Sequence, residues 1–227
     1  MGEFETLEAG TTAARLYVAG DVRPGAAGVV VLHPWWGLND DVIAYADRIA
    51  TEGYAVMAPD MFGGEVATEI DDADRLSSGM SEEVGEAITL AAVDRLAERL
   101  GPVAPLAALG FSFGGAWAIW APTTRDRILA TVVYYGTWVG SVLGRANVPV
   151  LGHFAEDDPY EDADTVAAFE HGLRDAGRDT TIHRYPGTGH WFAEPSRDAY
   201  RPEAANLAFE RTVGFLGRHL QRARPDE

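Results

Sequence analysis

The stretch "GFSFGGAW", residues 110–117, follows the apolar run "VAPLAAL" (103–109) and sets one hydroxyl among Gly110, Gly114 and Gly115. A buried strand that runs straight into a helix-forming segment places Ser112 at a strand-to-helix turn of the G-x-S-x-G kind, which holds a serine oxygen exposed above a sheet. Gly110 and Gly114 suit such a turn because a Cβ at either would collide with the neighbouring strand or helix. A small-residue turn with no chemical role is the competing reading, so the rest of the chain has to supply partners for the hydroxyl.

Outward from this turn the hydrophobic period switches repeatedly between strand and helix. "AGVVVLH" (27–33), "YAVMAPD" (54–60), "PLAALGF" (105–111), "ILATVVYYG" (128–136) and "VPVLGHF" (148–154) are continuous apolar runs, as parallel strands buried on both faces require. Between them, Val42, Ile43, Ala46, Ile49 and Ala50 form one helical stripe that Gly53 closes, and Val84, Ile88, Ala92, Leu96 and Leu100 form another that Ser81 opens. Further helices are predicted over "FGGAWAIWA", over 163–177 and from about Pro202 to Leu220, with a strand at "TTIHRY" (180–185). "FETLEAGTTAARLYVAG" (4–20) reads as an opening hairpin about Gly10. Strand and helix alternate nearly throughout, which predicts an α/β protein with a mostly parallel central sheet and helices on both faces, formed as a single domain over residues 1–227. Residues 62–80, "FGGEVATEIDDADRLSSGM", read as an irregular, acidic insertion that forms a lid or substrate wall.

Composition removes whole classes of chemistry. The chain has no cysteine, which excludes disulfides, thiolate metal sites and a cysteine nucleophile, and all 18 of its basic residues are arginine, which excludes Schiff bases and a phosphate-loop lysine. A net charge of -17 argues against nucleic acid and against anionic membrane surfaces. With no apolar stretch long enough to span a bilayer and an acidic start, the expected location is cytoplasmic. No cofactor and no metal are expected; His153 with Asp157 and Asp158 reads as solvated charge.

A serine hydroxyl needs a base to take its proton and a carboxylate to orient that base, and on this architecture they follow in the order Ser, Asp or Glu, His. "GTGHWF" (187–192) offers His190 on a glycine-rich loop after the last strand, whereas the other five histidines fall inside helices and strands or at strand ends. "AEDDPYED" (155–162) offers the acid: Asp158, before Pro159, suits a tight turn that holds its carboxylate inward, and Asp157 is the alternative. Backbone N–H groups for an oxyanion are expected from Phe113, which follows the nucleophile, and from Trp35 in "HPWWG" (33–37). Trp36 reads equally as pocket lining or as a core plug.

With these pieces in place, residues 20–220 resemble the dienelactone hydrolase family of the α/β-hydrolase superfamily. The likeness is carried by "HPWWGLND", "GYAVMAPDMFGG", "GFSFGG", "GHFAEDDPY" and "GTGHWF". It implies an α/β-hydrolase fold, a monomer or weak homodimer, and a cofactor-free serine esterase or lactonase. Ser112, Asp158 and His190 then fall on the nucleophile, acid and base, with Trp35 and Phe113 on the oxyanion positions. Ser112 stands where the family's named enzyme has cysteine, Pro34 where it has a glutamate that tunes the thiol, and Glu194 where it has an arginine that holds a substrate carboxylate. Glu194 is therefore expected to border the substrate pocket and to favour neutral over anionic small-molecule esters and lactones. Transfer of the acyl group to an acceptor other than water, and a catalytically silent binding protein on the same scaffold, are the alternatives.

Overall fold

The computed structural model describes residues 2–138, 140–145 and 148–220. In chain order it contains β1 (Glu3–Ala9), β2 (Thr12–Ala19), β3 (Gly28–Leu32), α1 (Asp40–Thr51), β4 (Ala55–Pro59), α2 (Ile70–Gly79), α3 (Glu82–Leu100), β5 (Leu106–Phe111), α4 (Phe113–Trp120), β6 (Ile128–Tyr134), β7 (Val150–Asp157), α5 (Ala163–Asp175), β8 (Thr180–Gly189) and α6 (Pro202–Leu220). The strands join in one sheet of order β1-β2-β4-β3-β5-β6-β7-β8. β1 pairs antiparallel with β2 and β2 with β4; every other pairing is parallel.

The central strands are apolar end to end because helices cover both their faces: every residue of β3, β4 and β5 is buried. On one face Val42, Tyr45 and Ile49 of α1 pack with Phe209 and Leu216 of α6. On the other, Ile88, Ala92 and Leu96 of α3 pack with Trp117 of α4 and Phe169 of α5. Each large side chain so buried contributes roughly 1.5–3 kcal/mol. The caps follow chemistry: Asn39 accepts from the Val42 N–H, Ser81 from Val84 and Asp162 from Thr165, and Gly101 ends α3 at φ 88°.

The expected irregular insertion at 62–80 is corrected by α2. Its segment "IDDADRLSSG" is polar, yet Ala73 and Leu76 lie on one side and are buried in the core, so half of the insertion is a packed helix. Among the described residues no helix is long and apolar enough to cross a membrane.

Candidate active site

The end of β5, the end of β7 and the end of β8 converge on one point, and each delivers one side chain there. Ser112 sits between β5 and α4 at φ 47°, ψ -113°, its N–H still bonded to Tyr134 O at 2.8 Å. Such a conformation costs on the order of 1–3 kcal/mol in a residue with a Cβ, and the tight turn holds it. A Cβ added at Gly110 would run into the Gly114 carbonyl, and one at Gly114 into the Leu32 and His33 carbonyls, so these two glycines let the turn close onto β5 and β3.

Ser112 Oγ lies 2.9 Å from His190 Nε2, and His190 Nδ1 lies 2.7 Å from Asp158 Oδ2. His190 is 4% exposed and the Asp158 side chain 1%. An ionised carboxylate only accepts, so Nδ1 carries the proton and Nε2 presents a lone pair to the serine hydroxyl. Asp158 is fixed by its other oxygen, since Oδ1 accepts from the N–H groups of Tyr160 at 2.9 Å and Glu161 at 3.0 Å. This is the inward-facing turn read from the sequence. Asp157, by contrast, ends β7 with an exposed side chain. Glu161 braces the same turn, accepting from the N–H and the hydroxyl of Thr137 at 2.9 and 2.8 Å.

Three aromatic rings surround the base, and sequence reasoning passed over all of them. Tyr135 and Tyr160 each lie 4.9 Å from the His190 ring, centroid to centroid, and Trp191 lies 5.1 Å away. Trp35 extends this wall, at 5.6 Å from Tyr160 and 6.2 Å from Trp191. Trp36 is buried behind it, so of its two readings the core plug matches. The legible signal was backbone shape: among the described residues only Ser112, Tyr135 and Trp191 combine a side chain with a positive φ.

The first turn of α4 leaves its leading N–H groups without intrahelical partners, Phe113 among them. Trp35 lies in the turn after β3 that the Gly37 N–H closes onto Pro34 O at 3.1 Å, and Gly114 presses the start of α4 against the end of that strand. Phe62, at the start of the acidic segment, touches the Phe113 ring at 5.7 Å.

Glu194 requires a correction. It is 2% exposed, accepts from the Tyr135 hydroxyl at 2.9 Å and lines a small cavity against α1 instead of standing as a charge at the serine's mouth. Burial pushes its carboxyl up to about 8, against the opposing pull of the Tyr135 hydrogen bond and of Arg197. A carboxyl held protonated in the fold but ionised when unfolded stabilises fully below the unfolded value near 4.5, and that contribution is lost as pH rises towards about 8. Glu194→Gln is therefore expected to match wild type in urea unfolding near pH 4.5 and to exceed it above pH 8 by a few kcal/mol, at about 1.4 kcal/mol per pKa unit. Equal stability of the two proteins at high pH would refute this.

Three arginines near this end of the sheet have partners of their own. Arg75 pairs with Glu65 at 3.1 Å, Arg201 bonds the carbonyls of Asp198 and Tyr200, and Arg197 stacks 3.6 Å over the Trp36 ring while reaching the Ala67 and Thr68 carbonyls. Among the described residues no three His, Asp or Glu side chains gather as a metal site would need.

Comparison with known proteins places the chain in a family, for residues 14–220 match the sequence profile of the dienelactone hydrolase family. The chain belongs to the dienelactone hydrolase family. Among curated relatives, "Protein usf" of Aquifex pyrophilus is 32% identical over 97% of this chain and 100% of its own. A Bradyrhizobium protein named "Probable 2-oxo-3-(5-oxofuran-2-ylidene)propanoate lactonase" is 28% identical over 90% of this chain and 89% of its own. The crystal structure of a dienelactone hydrolase-like promiscuous phosphotriesterase from metagenomic libraries superposes with a TM-score of 0.81 at 22% identity, over 96% of this chain and 98% of the other, which shows the shared α/β-hydrolase fold.

Proposed function

We propose that this dienelactone hydrolase family protein cleaves small neutral esters and lactones through a serine acyl-enzyme. The observation that carries the reading is the unbroken series Ser112 Oγ, His190 Nε2, His190 Nδ1, Asp158 Oδ2 at 2.9 and 2.7 Å. His190 takes the serine proton as Oγ attacks the substrate carbonyl, and the charge on the carbonyl oxygen is received by the N–H groups of Phe113 and Trp35. The imidazolium returns its proton to the departing alkoxide, which in a lactone stays tethered to the acyl group. His190 then deprotonates a water that attacks the acyl-enzyme, and the imidazolium returns that proton to Ser112 Oγ as the Oγ–C bond breaks and the acid leaves. Neutral substrates fit because Arg75, Arg197 and Arg201 are engaged elsewhere and the wall of Trp35, Trp191 and Tyr160 offers flat apolar faces.

The test is covalent. A fluorophosphonate is expected to add once to the native protein, on Ser112, and to abolish hydrolysis of a neutral aryl ester, while thiol reagents have no effect on a chain without cysteine. Peptide mapping of the adduct checks it; a native protein that stays unlabelled, or that is labelled elsewhere, sinks the reading.

A further inference from the structure

Two buried groups beside the base take no part in these proton transfers. Tyr135 is fully buried just past β6, its ring against the His190 imidazole, and its hydroxyl donates to Glu194 Oε1 at 2.9 Å. Glu194 belongs to the turn that carries His190: its N–H donates to Trp191 O at 2.9 Å, and its carbonyl accepts from the Arg197 N–H at 3.1 Å. One side-chain hydrogen bond thus ties the turn of the base to the end of β6. That strand end also abuts the nucleophile, because a Cβ on Gly136 would collide with the Ser112 carbonyl. From these contacts we infer that Glu194, acting through Tyr135, is a positioning residue that holds the His190 ring at its distance from Ser112.

This deepens, and rests on, the serine-hydrolase reading. Asp158 grips the imidazole at Nδ1, and the contact at Nε2 is with the Ser112 hydroxyl, a bond that is given up when the serine attacks, so Asp158 alone leaves the ring free to swing about Nδ1 at that moment. The flanking rings restrict that swing, but Tyr160 is 47% exposed, whereas Tyr135 is fully buried and pinned at both ends, by its N–H to His153 O at 2.7 Å and by its hydroxyl to Glu194. The pin has a protonation state. The groups that face Glu194 are Tyr135 after β6, Arg197 in its own turn, Asp41, Tyr45 and Arg48 on α1, and Tyr200 ahead of α6. Its Oε2 is buried with no hydrogen-bond partner among the described residues, and the residue lines a cavity of about 50 Å³. An ionised carboxylate there, held by a single buried donor, is driven towards solvation and pulls on the turn of the base.

The experiment first titrates active sites with the fluorophosphonate and maps the adduct, then measures kcat per titrated site and KM from about pH 6 to about pH 10 for wild type, Tyr135→Phe, Glu194→Ala and Glu194→Gln. Tyr135→Phe and Glu194→Ala are expected to lower kcat roughly ten- to a hundredfold with KM changed by less than about threefold. Glu194→Gln, which keeps the acceptor, is expected to recover most of that loss and to remove a fall in kcat that wild type shows above about pH 8. If kcat per titrated site in Tyr135→Phe stays within about twofold of wild type, whatever happens to its melting temperature, the positioning role is overturned. The same holds if Glu194→Gln keeps the alkaline fall. Should Glu194→Ala fail to fold, the phenylalanine and glutamine variants decide. An adduct absent from Ser112 overturns the serine-hydrolase reading together with this one, whereas an adduct on Ser112 with unchanged kcat in the variants overturns this one alone.

Discussion

Ser112→Ala and His190→Ala are each expected to lower kcat for ester hydrolysis by roughly ten-thousand- to a million-fold, and the double variant is expected to be no slower than either alone. The two side chains act as one unit. Without Oγ the imidazole has nothing to activate, and without the imidazole the hydroxyl is a poor nucleophile at neutral pH. On the proposed mechanism, what survives in either variant is substrate binding and the N–H groups assigned to the oxyanion, worth about a thousandfold or more over water. Both residues lie in ordered turns and neither substitution adds bulk, so the variants should fold. Steady-state kinetics on variants checked by circular dichroism decide the matter. If the single losses multiply in the double variant, the two residues are independent and the proposed unit does not exist.

The second large effect separates two adjacent carboxylates. Asp158→Asn is expected to lower kcat by about ten-thousandfold and Asp157→Asn by less than about threefold. The reason lies in the turn. The N–H groups of Tyr160 and Glu161 both point at Oδ1, so an asparagine must keep its carbonyl oxygen there and turn its NH2 towards His190 Nδ1. That nitrogen then has to accept, the imidazole proton moves to Nε2, and Nε2 can no longer take the proton of Ser112. Asp157 touches none of these groups and its side chain is exposed. A larger loss at 157 than at 158 would show that the acid had been misassigned.

Much of the fold was legible because parallel strands buried on both faces leave unbroken apolar runs, and amphipathic helices such as α1 and α3 leave a stripe. Two elements were hidden for opposite reasons. α2 was missed because only Ala73 and Leu76 of its ten residues are buried and its start has no side-chain cap, so its sequence resembles a polar loop. The last strand was read to end at Tyr185 because Pro186, Gly187 and Gly189 are turn-formers, yet β8 continues to Gly189, with a register shift against β7 between Ala155 and Asp157. In the candidate site, Ser112, Asp158 and His190 could be singled out in the sequence because each sits in a short motif with local turn chemistry, and the structure brings the three side chains together. Glu194 could not be placed, since burial is what keeps it protonated and its hydrogen-bond donor is Tyr135, 59 residues away. Linear spacing carries no trace of such a partner, and an exposed acidic residue is the reading that net charge alone encourages.

The left-handed backbone at Ser112, Tyr135 and Trp191 bears on how this protein would respond to selection for heat tolerance. Glycine at any of the three would relax the main chain and recover part of a penalty on the order of 1–3 kcal/mol, offset by whatever packing the lost side chain supplied. At Ser112, where little packing is lost, the balance favours the folded state. Each relaxation also removes the proposed nucleophile, the ring beside His190 or one face of the aromatic wall. Selection on thermal survival alone would therefore drift towards a durable, inert scaffold, and a library screened for hardier variants has to be read for turnover in the same well.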